Sequence, residues 1–214
     1  MKNTILKNII PWTGITGLVL TLVLVSLGLI LPILFESQSL YYKFGLEKAM
    51  LQWGKIAGVL ALILMVYQVV LVSRFLFLEK YISLKRLFSI HKTIGVFMVL
   101  LVIVHPLLIL GADGFGFFPF ELRYWPEFLG IFLMVLVLSV AGLALWYKAL
   151  NIPVRLRRRL HRMGTPAMVT LALVHAGWVS ETFDIVLPGI WLGFVTLIVL
   201  AMFARIYLKR YSKR

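Results

Sequence analysis

Two stretches of similar pattern, HKTIGVFMVLLVIVHPLLIL at residues 91–110 and RRRLHRMGTPAMVTLALVHA at residues 157–176, decide how this chain folds. Each stretch carries two histidines that lie 14 positions apart. These four, which are all the histidines of the chain, are His91, His105, His161 and His175. Because the residues between them are mostly apolar, each stretch predicts a helix that crosses a membrane.

The composition of the whole chain supports a membrane fold. Of its 214 residues 62% are hydrophobic and 14% are charged, and the mean hydropathy is +1.00. A water-soluble domain has roughly a quarter of its residues charged, so that class is excluded. The chain has no cysteine, which excludes disulfides, thiolate metal sites and covalently attached haem.

Six runs without acidic or basic residues, each at least 18 residues long, predict an all-α bundle of six transmembrane helices. The bundle forms one domain over residues 1–214. Pro153, the Asp113–Gly114 pair and Pro188 are expected in loops. The predicted helices cover approximately residues 10–35, 54–75, 91–111, 127–148, 160–179 and 185–206.

The distribution of lysine and arginine predicts the orientation of this bundle. With six spans, the N-terminus, the second and fourth loops and the C-terminus share one side, here called the basic side. It holds 18 of the 22 lysines and arginines, and the opposite, outer side holds Lys43, Lys48, Lys55 and Arg123. Cytoplasmic segments are enriched in these residues, so both termini are predicted in the cytoplasm. Membrane insertion accounts for the net charge of +14, and the lipid bilayer rather than nucleic acid is the expected partner.

Helix geometry groups the histidines by depth. Fourteen residues return to within roughly 40° of the same helix face and rise about 21 Å. The third and fifth helices run in the same direction, so His91 lies at the depth of His161, and His105 at that of His175. Two facing imidazoles at each of two levels suit a metal-porphyrin, whose iron takes one axial nitrogen from each side. The alternative is that the histidines bond backbone carbonyls or one another.

The two stretches also resemble the third and fifth helices of the ferric reductase-like transmembrane domain, over roughly residues 50–180 of this chain. That superfamily includes NADPH oxidases, ferric reductases and the haem-binding membrane subunit of bacterial methionine sulfoxide reductases. The resemblance implies an oxidoreductase component with two b-type haems, one between His91 and His161 and one between His105 and His175. It implies electron transfer from a cytosolic flavin- or NAD(P)H-linked donor to an extracytoplasmic acceptor, namely ferric iron, oxygen or a periplasmic partner. The bacterial cytoplasmic membrane is the implied location.

Two departures from the family pattern bear on the partners. Ferric reductases usually continue into a cytosolic flavin and nicotinamide domain, whereas this chain ends ten residues after Ala204. FAD, FMN or quinone is therefore expected through a partner, either a cytosolic flavoprotein reductase or the remainder of a longer reductase. The second departure is Pro166, which lies in the fifth helix where an aromatic or aliphatic residue is expected and which bears on the local geometry next to His161. Two alternatives stay open: a dedicated haem b and quinone subunit that donates electrons to a periplasmic reductase, and a haem-free six-helix transporter or assembly factor.

Three arginines complete the candidate site, in which no residue is predicted to be catalytic. Arg159 and Arg162, the closest of their segment to His161, are predicted to neutralise haem propionates or to dock an acidic flavoprotein. The same charges equally serve to fix the topology. Arg123, the one cation in its outer loop, is predicted to hold the outer propionates or a small acceptor, or else to act as an interfacial anchor.

Overall fold

The computed structural model describes residues 16–73, 82–116, 121 and 124–211, with side chains described through residue 208. Long helices dominate these residues, and no strand occurs among them. The predicted role of Arg123 falls outside the described residues. The six long helical segments are α1 (Thr16–Tyr41), α2 (Gly45–Val72), α3 (Leu84–Ala112), α4 (Trp125–Trp146), α5 (Val154–Val179) and α6 (Val186–Tyr211). Of these, α1 is not continuous: it contains a 3-10 turn at Leu27–Leu29 and leaves the helical conformation at residues 35–37 before its last turn, Gln38–Tyr41.

Five of these segments are long and apolar enough to cross a membrane. The exception is α5, whose first turns carry arginines and whose apolar part is interrupted by histidine, threonine, glycine and proline. Its two histidines lie beside the two histidines of α3, so α5 passes through the same depth of the bundle as α3. The predicted all-α, multi-pass membrane fold is confirmed.

Several helices begin earlier than their charge-free runs suggest. The first residue is Gly45 for α2, Leu84 for α3 and Val154 for α5, against predicted starts near 54, 91 and 160. Lysine and arginine are good helix formers, so a helix continues past the apolar segment into the polar boundary. Ser83 caps the extended start of α3, because its hydroxyl accepts from the backbone N–H of Arg86.

One predicted loop marker lies inside a helix instead. Pro188 is the third residue of α6, and it is buried there. The first turn of a helix has no intrahelical acceptor for its N–H groups, so a proline costs little at that position. The other two markers behave as predicted: Pro153 precedes α5, and Gly114, at a φ of +65°, follows α3.

The α2 helix is the centre of the bundle. It packs mainly against α3 and also contacts α1, α5 and α6, while α5 packs mainly against α4. The main core cluster draws buried residues from all six helices, and its least exposed members include Val66 on α2, Val137 on α4, Val169 on α5 and Val195 on α6. The outward faces remain apolar, as expected where lipid is the solvent.

A polar network joins the outer ends of three segments. Lys55 on α2 donates hydrogen bonds to the hydroxyls of Ser37 and Ser39, the latter at 2.9 Å. The backbone N–H of Ser39 donates to a carboxylate oxygen of Glu181, 3.0 Å away in the turn between α5 and α6. Burial on its own would raise the pKa of Glu181, but the Ser39 hydrogen bonds and the charge of Lys55 outweigh it and lower that pKa.

This lowered pKa predicts an acid-sensitive contribution to stability. The contribution of Glu181 is present above its ordinary pKa of 4.5 and is lost as the pH falls through the lower folded-state value. Replacing Glu181 with glutamine should therefore lower the unfolding temperature at neutral pH, with a difference from the unmodified chain that shrinks below pH 4.5. Thermal unfolding of both chains in the same nanodiscs measures this difference. Asp184→Asn, in the same turn, is the matched control, and a pH-independent difference for Glu181→Gln contradicts the prediction.

Candidate functional site

The four histidines form two pairs across the space between α3 and α5. The ring centroids of His91 and His161 are 6.1 Å apart, and their planes meet at 80°. The centroids of His105 and His175 are 6.4 Å apart, with an interplanar angle of 82°. The structure therefore brings together the side chains that the helix register pairs by depth, and it does so twice with nearly the same geometry.

Backbone carbonyls fix the outer pair, His105 and His175. The Nδ1 atom of His105 lies 2.8 Å from the carbonyl oxygen of Gly54 on α2, and Nδ1 of His175 lies 3.0 Å from that of Pro126 on α4. A carbonyl oxygen only accepts hydrogen bonds, so each Nδ1 carries the hydrogen and donates it. Each Nε2 is then left with a free lone pair, the form in which a histidine binds a metal. Each outer histidine can therefore bond a backbone carbonyl through Nδ1 and still bind a metal through Nε2.

Glycines make room for the outer imidazoles. A Cβ atom on Gly58 of α2 would lie 2.8 Å from Nδ1 of His105, and one on Gly130 of α4 would lie 2.5 Å from Cε1 of His175. Both distances are too short for a real side chain, so the two imidazoles pack directly against helix backbone. Gly54 and Gly58 form a GxxxG pattern, the usual sequence signal for close helix approach in membranes.

The inner pair, His91 and His161, is held differently. Gln68 on α2 donates through Nε2 to the carbonyl oxygen of His91 at 2.8 Å, and the Thr165 hydroxyl donates to that of His161 at 2.7 Å. Within the described part of the chain, Nδ1 of both histidines and Oε1 of Gln68 are buried without a hydrogen-bond partner. Buried polar atoms without partners are rare in proteins, so we expect a further hydrogen-bonding group, such as a water molecule, beside these atoms.

The spacing within each pair fits a metal atom bound from two sides. A metal–imidazole bond is about 2 Å long and a ring nitrogen lies about 1 Å from the centroid, so two opposed ligands place their centroids roughly 6 Å apart. Among the described residues, no group of three or more histidine, cysteine or acidic side chains could hold a metal ion. An isolated ion usually takes about four protein ligands, whereas haem iron needs two axial ones. The residues present fit a bis-histidine haem at each level.

Apolar side chains separate the two levels. Met98 on α3 and Met168 and Ala172 on α5 lie between the histidines of their helices, and all three are buried. Methionine adapts to irregular surfaces, and alanine leaves space beside a flat ligand. The layer between the pairs is therefore low in polarity, which excludes water from the middle of the bundle.

The arginines of α5 fall into two groups. Arg159 and Arg162 line a cavity of about 500 Å³ together with Arg155, Arg158 and Met163. Arg157 instead lies one helical turn before His161 on the same face, with its guanidinium carbon 4.2 Å from the ring centre of Tyr147. Its buried Nε has no hydrogen-bond partner among the described residues. Sequence reasoning did not single out Arg157, although its i, i+4 relation to His161 was a usable signal.

These observations define a polytopic α-helical membrane protein with two imidazole pairs at two depths and an apolar layer between them. The chain belongs to the family of ferric reductase-like transmembrane components, whose model matches residues 57–173, more than half of its length. The match includes His91, His105, His161 and Gly58, and it ends two residues before His175. No curated protein and no solved structure matches the chain. Membership of this family suggests an oxidoreductase component that carries electrons across a membrane.

Proposed function

We propose that this chain transfers electrons across the membrane by holding two b-type haems, one between His91 and His161 and one between His105 and His175. The observation that carries the proposal is the hydrogen bonding of the outer pair. Both Nδ1 atoms donate to backbone carbonyls, which leaves the Nε2 lone pair of each ring free, and the two ring centroids are 6.4 Å apart. The inner pair repeats that distance within a few tenths of an ångström.

The two histidines at each level determine which reactions a bound haem could carry out. A haem held by the two histidines of one level would supply a one-electron redox centre. The chain thereby favours electron transfer over the binding of small molecules at the metal. The 14-residue separation within each helix places the levels about 21 Å apart, a large part of a hydrocarbon layer about 30 Å thick. The buried apolar residues between the levels keep water out of this path.

The charge distribution supports an outward direction. The basic side, with 18 of 22 lysines and arginines, is assigned to the cytoplasm of a bacterial cell, where a flavin- or NAD(P)H-linked reductase is the proposed donor. The proposed acceptor on the outer side is ferric iron, oxygen or a periplasmic partner. With a negative interior, moving one electron outward is favourable by roughly 2.3 kcal/mol per 100 mV.

Arginines on the basic side offer counter-charges for haem propionates. Arg157 is the best placed of them, because it shares the face of His161 and its buried Nε has no partner in the described structure. The role predicted for Arg159 and Arg162 stays a prediction, since both line the cavity on another face of α5. We also propose that Arg123 neutralises the propionates of the outer haem. Only the sequence supports this role, because Arg123 lies outside the described residues.

The test uses the purified full chain, supplied with haemin and placed in lipid vesicles that enclose ferricyanide. We expect two b-type haems per chain in the reduced-minus-oxidised spectrum. Adding a membrane-impermeant reductant outside should then reduce the enclosed ferricyanide, and the H105L/H161L variant should abolish that transfer. A chain that stays colourless with haemin overturns the haem assignment. A chain that binds two haems but does not reduce the enclosed ferricyanide overturns the proposed transfer.

A further inference from the structure

The cavity on the basic end of α5 has a regular geometry. Arg155, Arg158, Arg159 and Arg162 occupy positions i, i+3, i+4 and i+7, so they form one stripe along about two turns of the helix. The cavity that they line has a volume of about 500 Å³. All four arginines are exposed, and like charges at these spacings repel one another, so an anion bound along the stripe would relieve that repulsion.

The described part of the chain supplies no such anion. None of the four arginines has a carboxylate within 4.0 Å among these residues. The acidic residues that the structure describes belong to the outer loops or to outer helix ends, on the opposite side of the bundle. They are Glu36, Glu47, Asp113, Glu121, Glu127, Glu181 and Asp184. An anion that binds along the stripe would therefore come from outside the described residues.

The fifth residue of the cavity limits what that group can be. Met163 is 68% exposed and begins the stretch of α5 that has no charged residue. A ligand that fills the cavity must place an anion against guanidinium groups and hydrocarbon against Met163. An acidic protein surface would stay on the aqueous side and leave the methionine uncovered, whereas a phospholipid carries both parts in one molecule.

We propose that this cavity binds the phosphate headgroup of an anionic phospholipid from the leaflet on the basic side. The guanidinium groups donate charge-assisted hydrogen bonds to the phosphate oxygens, and an acyl chain lies along Met163. The site is separate from the histidine pairs, because Arg157 and His161 occupy the face that turns toward α3 and α4. The bound lipid holds α5 at a fixed depth, and with it both of its histidines.

The experiment titrates the full chain in detergent with phosphatidylglycerol or phosphatidylcholine and counts bound lipid by native mass spectrometry. The test variant is R158Q/R162Q, and the matched control is K85Q/R86Q, which removes two charges from the basic end of α3. Each variant keeps 16 of the 18 charges on the basic side, so the topology signal is preserved. We expect R158Q/R162Q to weaken phosphatidylglycerol binding about thirtyfold, roughly fivefold for each arginine, and the control to change it less than about threefold.

Four results overturn the proposal. The first is equal binding of the two lipids by the unmodified chain, and the second is an equal loss of affinity in both variants, which marks a general surface-charge effect. The third is displacement of the lipid by millimolar inorganic phosphate, which marks a site for free phosphate. The fourth is displacement by an acidic polypeptide at a lower concentration than by phosphatidylglycerol, which marks a protein-docking surface instead.

Discussion

Replacing His105 with leucine is expected to remove one of two bound haems and to leave the other in place, so that the haem content falls from two per chain to about one. His105 faces His175 with a centroid distance of 6.4 Å, and each ring belongs to the outer level alone. Leucine is close in size and apolar, so the packing of α3 is retained while the axial nitrogen is lost. The pyridine haemochrome assay on purified chain measures the content directly.

Double variants turn this result into a test of the pairing. H105L/H175L should lose no more haem than either single variant, because both substitutions act on one level. H105L/H161L should lose both haems, because it removes one ligand from each level. Phe97→Leu, a lipid-facing change on the same helix as His105, is the control and should retain two haems. Complete loss in H105L/H175L, or retention of one haem in H105L/H161L, contradicts the pairing.

The pairing of the four histidines by depth could be predicted because it depends only on helix geometry and on the number of membrane spans. The rise and turn of an α-helix are fixed, and the number of spans determines that α3 and α5 run in the same direction. Neither quantity depends on how side chains pack. His91 and His161 illustrate this: each is seven positions after the first residue of its helix, Leu84 or Val154, although both starts were predicted too late.

Other parts of the site were not predictable from spacing. The starts of α3 and α5 were misplaced because a charge-free run marks the apolar segment, whereas lysine and arginine continue a helix beyond it. The helix period already puts Arg157 on the face of His161 and Arg159 and Arg162 on another face, but which of these faces packs against α4 depends on how α5 rotates in the bundle. The GxxxG pattern of Gly54 and Gly58 can be read from the sequence, but only the structure shows that α3 is the helix that packs against these glycines.

Replacing Gly130 with alanine is expected to weaken the outer haem while leaving the inner one unchanged. The new Cβ atom would lie 2.5 Å from Cε1 of His175, so either the imidazole must turn or α4 and α5 must separate. Both movements disturb the hydrogen bond from His175 Nδ1 to the carbonyl oxygen of Pro126, which sets the direction of Nε2. Overpacking of this kind typically costs about 1–3 kcal/mol, which corresponds to a loss of haem affinity of roughly fivefold to a hundredfold.

Gly142→Ala on the same helix separates this effect from a general effect of alanine in α4. A Cβ atom there would lie 3.5 Å from the ring of Trp146, an ordinary contact, so both haems should keep their affinities. The measurement is haemin titration of the apo-chain, with H91L as the background in which only the outer level binds. Because alanine favours helix formation over glycine, a loss of affinity in Gly130→Ala cannot come from weaker helix propensity. Equal haem affinities in the Gly130→Ala and Gly142→Ala chains would mean that the close contact with His175 does not orient a ligand, and the outer level would then need a different explanation.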